Sequence, residues 1–260
     1  MKKLFIILLF IPLAFACSSE DSSLTQGNNN NNNRKKLSTL SQVTPCTNCE
    51  GSNGAYTYAN NKLTYIDIDG FVTDEDGSFT HQWESFMAFE HSPNSVTINY
   101  GGDKTILNID TDGKVIDNDF VFNNGYLQEI EGDKYNWSSG NLISFQEYND
   151  NGDLYSNSLI EYSDFDDLSG YLGLTIALNG GIYYADEPMP YIILGVLGKS
   201  TTKLPKKHTI TIGSNVSVYE HTYVFDDENY LIKLITTKST YENNILLNEN
   251  TQQTELTYID

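Results

Sequence analysis

The sequence predicts an all-β protein, a large antiparallel meander that is strongly curved or barrel-like, with one or two short helices around residues 168–200. Two observations carry this prediction. A pattern of two ring residues, a polar turn and an aliphatic residue recurs along the chain, and each copy is typical of a β-hairpin. Apolar runs between residues 168 and 207 lack the period-two alternation of half-buried strands, so they favour short helices or buried strands.

The recurring pattern begins with two side chains, mostly aromatic, that stand two residues apart and therefore share one face of a strand. Turn-forming Asn, Asp, Ser and Gly residues follow, several of which readily adopt the left-handed conformations of tight hairpin loops. An aliphatic residue then opens the return strand. The copies begin at Tyr56, Phe89, Phe120, Tyr135 and Tyr223, with a shorter one at Tyr148.

The return strands place apolar residues three positions apart, as in Leu63 and Ile66 or Leu127 and Ile130. Residues at that spacing lie on opposite faces of a regular strand, because side chains alternate with period two. Either a β-bulge separates them, or both faces of the sheet are partly covered. Strong curvature towards a barrel would provide the second condition.

The segment from Leu168 to Lys207 interrupts the hairpin pattern with two apolar runs, Gly170–Leu178 and Tyr191–Leu197, and with several prolines. Periodicity does not distinguish a short helix from a buried strand in runs of this length. We interpret them as one or two short helices that cap an open end of the sheet. A domain boundary in this segment is the alternative.

Several further segments occur in a fixed order along the chain, namely Glu161–Phe165, Leu194–Lys199, Lys203–Pro205, Tyr223–Leu234 and Leu256–Ile259. This order, together with the ring pairs, turns and Leu-x-x-Ile strands, resembles an uncharacterised family of Gram-negative surface lipoproteins with a YD-type β-repeat domain of unknown function. The resemblance covers about residues 54–260. It implies an all-β fold with no established activity, and it transfers no functional residues to this chain.

The N-terminal segment is typical of a bacterial export signal. Lysines follow Met1, and an apolar run from Leu4 to Ala16 is shorter than the roughly 20 residues of a transmembrane helix. Cys17 stands at the cleavage boundary, which favours a lipidated cysteine over an ordinary signal-peptidase cut, although the preceding residues match the lipobox imperfectly. We expect a signal peptide at residues 1–16 and a lipid-anchored protein of the outer membrane, displayed at the cell surface.

The mature chain divides into two parts. Residues 17–50 are predicted to be the lipidated N-terminus and a disordered tether, because small polar residues and an asparagine run cannot bury apolar surface. Residues 51–260 form the β-repeat domain. The net charge of −20 disfavours nucleic acid as a partner, since the chain repels phosphate backbones. The expected partners are the membrane, through the lipid anchor, and a glycan or another envelope protein.

Cys46 and Cys49 form a Cys-x-x-Cys pair near the start of the domain. In an oxidising envelope we expect a disulfide between them. Half of a zinc site and a redox-active pair are the alternatives. The surrounding Pro-, Asn- and Gly-rich stretch has no helical pattern that would lower a thiol pKa, and the histidines are not closely paired.

Oxygen-bearing residues with the spacing of a calcium loop begin at Asn108 and include Asp110, Asp112 and Asp119. The flanking sequences predict strands, whereas such loops normally lie between helices. Asp-Thr-Asp-Gly is also an ordinary hairpin turn. We favour the turn, with no cofactor, and keep a calcium site at these four residues as the alternative.

The sequence contains no motif of a nucleophilic hydrolase, a zinc protease or a phosphate-binding loop. Neighbouring carboxylates such as Asp164, Asp166 and Asp167 are interpreted as a solvated acidic loop. No catalytic residue is assigned. Enzymatic activity stays open, with a noncatalytic binding or scaffolding domain favoured and an envelope hydrolase acting on glycan or peptide as the alternative.

The repeat rings are interpreted as core residues because they recur at equivalent positions. Trp83 lies outside the repeat register and is the first candidate for ligand binding, by stacking on a sugar. Trp137 belongs to a repeat copy and is the second candidate.

Overall fold

The computed structural model of the protein describes residues 34–43, 50–73, 79–182 and 189–260. These residues form one antiparallel sheet of 15 strands and two short helices. The predicted all-β class, the meander and the helices between residues 168 and 200 are confirmed. Neither helix in the described part of the chain has the length and apolar character needed to cross a membrane.

The elements follow one another with mostly tight turns between them. The strands are β1 (Lys36–Val43), β2 (Glu50–Ala59), β3 (Lys62–Thr73), β4 (Phe79–Ser92), β5 (Ser95–Tyr100), β6 (Asp103–Asn108), β7 (Phe120–Asn123), β8 (Tyr126–Ile130), β9 (Asp133–Ser138), β10 (Asn141–Tyr148), β11 (Leu154–Asp166), β12 (Lys203–Ile212), β13 (Asn215–Phe225), β14 (Leu231–Glu242) and β15 (Ile245–Ile259). The helices are α1 (Leu172–Asn179) and α2 (Met189–Leu194), both between β11 and β12.

The strand order follows the chain, with one rearrangement. Each strand pairs with its sequence neighbours, except that β1 pairs with β15 and that β6 and β7 do not pair. Lys36 lies opposite Ile259, so the two ends of the described chain are side by side. The edges of the sheet are therefore two consecutive strands, β6 and β7, and the sheet is not closed between them.

Strand β1 lies within residues 17–50, and its Leu37 and Leu40 are 0% exposed. The prediction of a disordered tether is therefore wrong for Lys36–Val43, because its leucines are buried in the core of the sheet.

The predicted hairpins are all present. Except in the β4–β5 hairpin, their turns contain residues with positive φ, as the turn chemistry predicted, for example Asn60 and Asn61 between β2 and β3 (φ 50 and 64). The β7–β8 turn uses Asn124 and Gly125 in the same way (φ 52 and 83). The local sequence thus determines where each strand ends and reverses.

A β-bulge explains the spacing of three in the return strands. Tyr58 pairs with Leu63 and Thr57 pairs with Tyr65, so Thr64 is an extra residue in β3. The register shifts at the same place in the hairpins β7–β8, β9–β10 and β13–β14. An extra residue after the first aliphatic residue returns the next apolar residue to the same face.

The β4–β5 hairpin provides an internal comparison. Its return strand places Val96 and Ile98 two residues apart, and its register has no shift. In the bulged β3 strand, Leu63 and Ile66 are both buried, at 3% and 0% exposure. Of the two explanations that the spacing left open, the bulge is present wherever the spacing is three.

Helix α1 lies in the core. Six of its eight residues are buried. Leu172 and Ile176 belong to a cluster formed with β1–β5, β12, β14 and β15, whereas Leu174 and Ala177 belong to a second cluster with β10, β11 and α2. Helix α1 is therefore buried in the core and joins the two clusters.

Asp167 anchors the start of α1. Its Oδ1 accepts hydrogen bonds from the backbone N–H groups of Ser169 and Gly170 at 3.1 and 3.2 Å, and its Oδ2 accepts one from Gly173 at 2.8 Å. Burial raises the pKa of the Asp167 carboxyl, and these hydrogen bonds oppose that shift. The interpretation as a solvated acidic loop is therefore wrong for Asp167, because its carboxylate satisfies buried backbone donors.

We predict that the bulge makes the neighbouring residues Leu142 and Ile143 contribute unequally to the free energy of unfolding. Leu142→Ala should lower the free energy of unfolding by about 2–5 kcal/mol, since Leu142 is 0% exposed and its removal leaves a cavity. Ile143→Ala should cost less than about 1 kcal/mol, because Ile143 is the bulged residue and is 42% exposed. Urea unfolding of both variants tests this. Equal losses would contradict the register.

His208 is a buried neutral group. It is 0% exposed and lies between the rings of Phe145 and Tyr219, at centroid distances of 5.7 and 5.8 Å. Neither ring nitrogen has a hydrogen-bond partner among the described residues. Burial lowers the pKa of His208 to about 4, and burial together with His208 lowers the pKa of His221 to about 3.

We predict an acid-sensitive stability from this histidine. The unfolded pKa is about 6.5, so protons bind the unfolded chain first, and stability falls as pH drops from about 6.5 to about 4. His208 should account for about 3 kcal/mol of that fall. In His208→Phe the difference in unfolding free energy between pH 7 and pH 4.5 should shrink accordingly. An unchanged pH profile would contradict the buried neutral state.

Candidate functional site

Two concavities lie beside the hairpins β7–β8 and β9–β10. The first, which we call the polar groove, has a volume of about 240 Å³. It is lined by Asn123, Asn124, Tyr126, Gln128, Trp137, Ser138, Ser139 and Gly140. The second, which we call the carboxylate cleft, has a volume of about 430 Å³ and contains Glu131 and Glu147.

The polar groove is built on two adjacent hairpin turns that a loop holds together. The backbone N–H of Lys199 donates to the carbonyl of Gly125 at 2.8 Å, and the N–H of Thr202 donates to the carbonyl of Gly140 at 3.2 Å. Asn141 Oδ1 accepts further hydrogen bonds from the same loop, from Thr202 and Lys203 at 3.0 Å each. The groove is therefore a fixed surface, and its turns do not depend on a ligand for their positions.

Trp137 is held at one orientation in this groove. Its Nε1–H donates to the carbonyl of Leu127 at 2.6 Å, and its ring packs on Tyr126 with a centroid distance of 4.7 Å. The Lys199 ammonium lies 5.0 Å from the Tyr126 ring centroid. The indole ring is partly buried against the core, and its only donor is already used, so Trp137 offers a ligand the exposed part of its ring surface.

The chemistry of the polar groove is uncharged. Its lining consists of amide and hydroxyl side chains, two aromatic rings and one glycine. Amides and hydroxyls both donate and accept hydrogen bonds, so they can match ligand hydroxyl groups of either orientation. A ring surface with convergent uncharged polar groups suits a neutral polyhydroxylated ligand.

The carboxylate cleft lies where the two edges of the sheet do not meet. Leu107 of edge strand β6 and Phe120 of edge strand β7 both line it, and the ends of both helices contribute to it. Its apolar lining also includes Phe145, Val196 and Leu197. The cleft is therefore a consequence of the open sheet, with the helices beneath it.

Glu131 stands at an unusual backbone position. It forms the β8–β9 turn with Gly132, and both have positive φ, at 50 and 97. The other non-glycine residues with positive φ in the described ranges are asparagines and Ser139. Asn, Asp and Gly are the residues that such turns prefer, so a glutamate here carries local strain.

Glu147 and Tyr135 line the cleft beside Phe145. The carboxylate of Glu147 accepts a hydrogen bond from the buried hydroxyl of Ser156, which orients it. The Tyr135 ring stacks on Phe145 with a centroid distance of 5.8 Å. Burial raises the pKa of the Tyr135 hydroxyl, and Asp133, Glu147 and Glu131 raise it further, which shows the concentration of negative charge.

The polar groups of the cleft are incompletely partnered within the described residues. Asn179 lines the cleft, and its buried Nδ2 has no hydrogen-bond partner there. Neither Glu131 nor Glu147 forms an ion pair with a lysine, arginine or histidine of the described chain. The arrangement can accept a cation beside the carboxylates.

The proposed calcium residues form a turn after β6. Asp110 Oδ1 accepts hydrogen bonds from the backbone N–H groups of Asp112 and Lys114, both at 2.9 Å. The Lys114 ammonium lies 3.4 and 3.3 Å from carboxylate oxygens of Asp110 and Asp112. The described residues contain no group of three His, Cys, Asp or Glu that could hold a metal ion.

Asn108 and Asp119 take part in this segment mainly through their backbones. The carbonyl of Asn108 accepts from the N–H of Ile116 at 2.7 Å, and the carbonyl of Asp119 accepts from the N–H of Glu131 at 2.9 Å. Because the Lys114 ammonium pairs with Asp110 and Asp112, it supplies the positive charge that a calcium ion would bring to these carboxylates.

The other predicted site residues are described only in part. Trp83 lies in β4 opposite Gly70, and its side chain falls outside the described part of the structure. Cys17, Cys46 and Cys49 fall outside the described residues, so lipidation and the disulfide stay predictions. The repeat rings contribute to the core as expected, with Tyr56 and Phe89 at 5% and 4% exposure.

Sequence reasoning named Trp137 but missed Tyr126 and the whole carboxylate cleft. Glu131 carried a signal, because it occupies a left-handed turn position where other hairpins have asparagine, serine or glycine. No comparable signal marked Glu147 or Asn179. Their proximity to Glu131 depends on how β10 and α1 pack, and the sequence pattern does not contain that information.

Comparison with known proteins gives a likeness in fold. No protein-family model matches the chain, and no curated protein matches it. The fold is similar to a crystal structure described as a porin-like protein from Bacteroides uniformis ATCC 8492, with a TM-score of 0.54 and 14% sequence identity. The match covers 87% of this chain and 98% of that one. At this identity the likeness shows the fold alone.

Proposed function

We propose that the protein is a noncatalytic binding protein of the bacterial cell envelope that holds a neutral glycan in the polar groove. The observation that carries this proposal is the Tyr126–Trp137 ring pair, surrounded by uncharged amide and hydroxyl side chains on a preformed surface. Sugars present apolar ring faces and hydroxyl edges, which match aromatic surfaces and amide groups respectively.

The charge of the whole chain supports a neutral ligand. At −20 the protein repels anionic polysaccharides at long range, and no cluster of basic residues lines the groove to compensate. Lys199 is the nearest cation, and its position over Tyr126 directs it to a ring of the protein. A partner protein of the envelope is the alternative occupant of the same surface.

The envelope location rests on two supports of different kind. The N-terminal sequence has the charged start, apolar run and Cys17 of a lipidated export signal. The fold is similar to a protein described as porin-like, which suits an outer-membrane location. We extend the proposal to a lipid anchor at Cys17 and display at the cell surface.

A hydrolase acting on glycan or peptide is the second candidate function, and the carboxylate cleft is what favours it. Glycoside cleavage uses two carboxyl groups on either side of the scissile bond. Glu131 and Glu147 are the pair that lines one cleft. Release of product by the wild-type protein, with loss of release in Glu147→Gln, would establish this activity in place of simple binding.

We predict that Trp137→Ala weakens binding of a neutral oligosaccharide, identified on a glycan array with the full chain, by roughly tenfold or more. Asn123→Ala should weaken it less, and it serves as a second variant because Asn123 is exposed and its loss should not affect folding. Calorimetric titration measures both affinities.

Trp83→Ala is the matched tryptophan comparison, since the sequence alone favoured Trp83 as the sugar platform. It should leave the affinity unchanged. Loss of binding in Trp83→Ala alone would move the site to β4. If no sugar binds and the protein copurifies with an outer-membrane complex, the partner-protein alternative is correct.

We predict that Cys17→Ser releases the mature protein from the membrane fraction, because the variant loses the acyl chains that anchor it. Mass spectrometry of the wild-type N-terminal peptide should show an acylated Cys17. An unmodified Cys17 on a wild-type protein that is already released would contradict the anchor and leave the glycan site untouched.

A further inference from the structure

We infer that the carboxylate cleft is a second ligand site, separate from the polar groove, and that it binds an organic cation: a primary ammonium group carried on an apolar or aromatic body. The cleft and the groove both lie beside strands β7–β10, but they share no lining residue. Their side chains also differ in charge and polarity. One is uncharged and rich in amides, whereas the other combines carboxylates with apolar and aromatic surface.

The size and walls of the cleft determine the body of the ligand. A volume of about 430 Å³ lies within the roughly 300–1,000 Å³ of small-molecule sites. Leu107, Val115 and Phe120 supply apolar surface, and Tyr135, Phe145 and Tyr191 supply aromatic surface. Apolar surface favours a hydrocarbon or ring-shaped body, and aromatic faces also attract cations.

The charges determine the head group. Glu131 and Glu147 both line the cleft, and neither has an ion-pair partner among the described residues. Two carboxylates beside low-dielectric walls attract a cation more strongly than the same charges in open solvent. Ser156 fixes Glu147 from behind through its hydroxyl, so that the carboxylate is oriented before a ligand arrives.

Asn179 contributes another polar residue to the lining of the cleft. Its Nδ2 is buried and has no hydrogen-bond partner among the described residues. Because that nitrogen is shielded from the open cleft, the preference for an ammonium head group rests on the two carboxylates.

Glu131 has a backbone conformation that disfavours glutamate. A glutamate at positive φ costs stability relative to asparagine, which suits the turn better. The position therefore places a carboxylate at the mouth of the cleft at the expense of turn stability. This gives a sharp test, since Glu131→Asn should stabilise the free protein while weakening the binding of a cation.

The experiment uses two probes that share a hydrocarbon body and differ in the head group, which is charged in one and neutral in the other. We would titrate the full chain at pH 7 with 2-phenylethylamine, which carries an ammonium group, and with 2-phenylethanol, which has the same ring and chain length. The amine should bind at least about tenfold more tightly than the alcohol. Raising the sodium chloride concentration should reduce that preference through screening.

Variants assign the preference to the cleft. Glu147→Gln and Glu131→Asn should each weaken amine binding by roughly tenfold, and Glu131→Asn should also raise the melting temperature of the free protein. Asp150→Asn removes the same charge at the exposed β10–β11 turn and should leave amine binding unchanged. Asn123→Ala, a variant of the glycan groove at an exposed residue, should leave it unchanged as well.

Each outcome decides the inference. Equal affinity for the alcohol and the amine, absence of amine binding, or equal losses in Asp150→Asn and Glu147→Gln would overturn it. If Glu147→Gln fails to fold, Glu131→Asn decides the question alone, because that substitution suits its turn. Failure of glycan binding would not affect this result, since the two sites share no lining residue.

Discussion

The structure depends on one local device, the bulge that follows the first aliphatic residue of a return strand. Without the extra residue, Leu63 and Ile66 would point to opposite faces, and half of each apolar set would face solvent. With it, the ring pair of one strand and both aliphatic residues of the next form a single apolar patch. The same shift recurs in four hairpins, and bulges also increase local twist and bending. The burial pattern and the curvature thus have a common origin.

A curved sheet of this width encloses more space than its own side chains fill, and α1 occupies that space. The helix is buried nearly all round, so it has no wet face and no amphipathic pattern. Its start would leave backbone N–H groups without partners in the core. Asp167 supplies the acceptors, and the raised pKa of its carboxyl reflects the burial that this requires. The buried Asp167 carboxylate therefore allows the start of the helix to lie in the core.

The sequence predicted what is encoded locally. Hairpin positions and turn residues could be predicted from spacing alone, because each depends on residues within about ten positions. The spacing of three narrowed the return strands to a bulge or covered faces, and the register decides for the bulge. The pairing of β1 with β15 and the burial of α1 could not, since they join residues far apart in the chain. The candidate site residues also divide into those predictable from local sequence and those that are not. Trp137 lies in a recognisable repeat, whereas the proximity of Glu147 and Asn179 results from packing between β10 and α1.

The position of the carboxylate cleft follows from the topology. Because β1 pairs with β15, the two unpaired edges of the meander fall on consecutive strands, β6 and β7, and the gap lies between them. An unpaired edge exposes backbone groups and the apolar side chains behind it. Here Leu107 and Phe120 of the two edges line a cleft whose rim carries Glu131. A ligand in this cleft would contact both edges and the helices at once, and its binding energy would add to the stability of the open side of the sheet. A small ligand bound in this cleft would thus stabilise the side of the sheet that strand pairing leaves open.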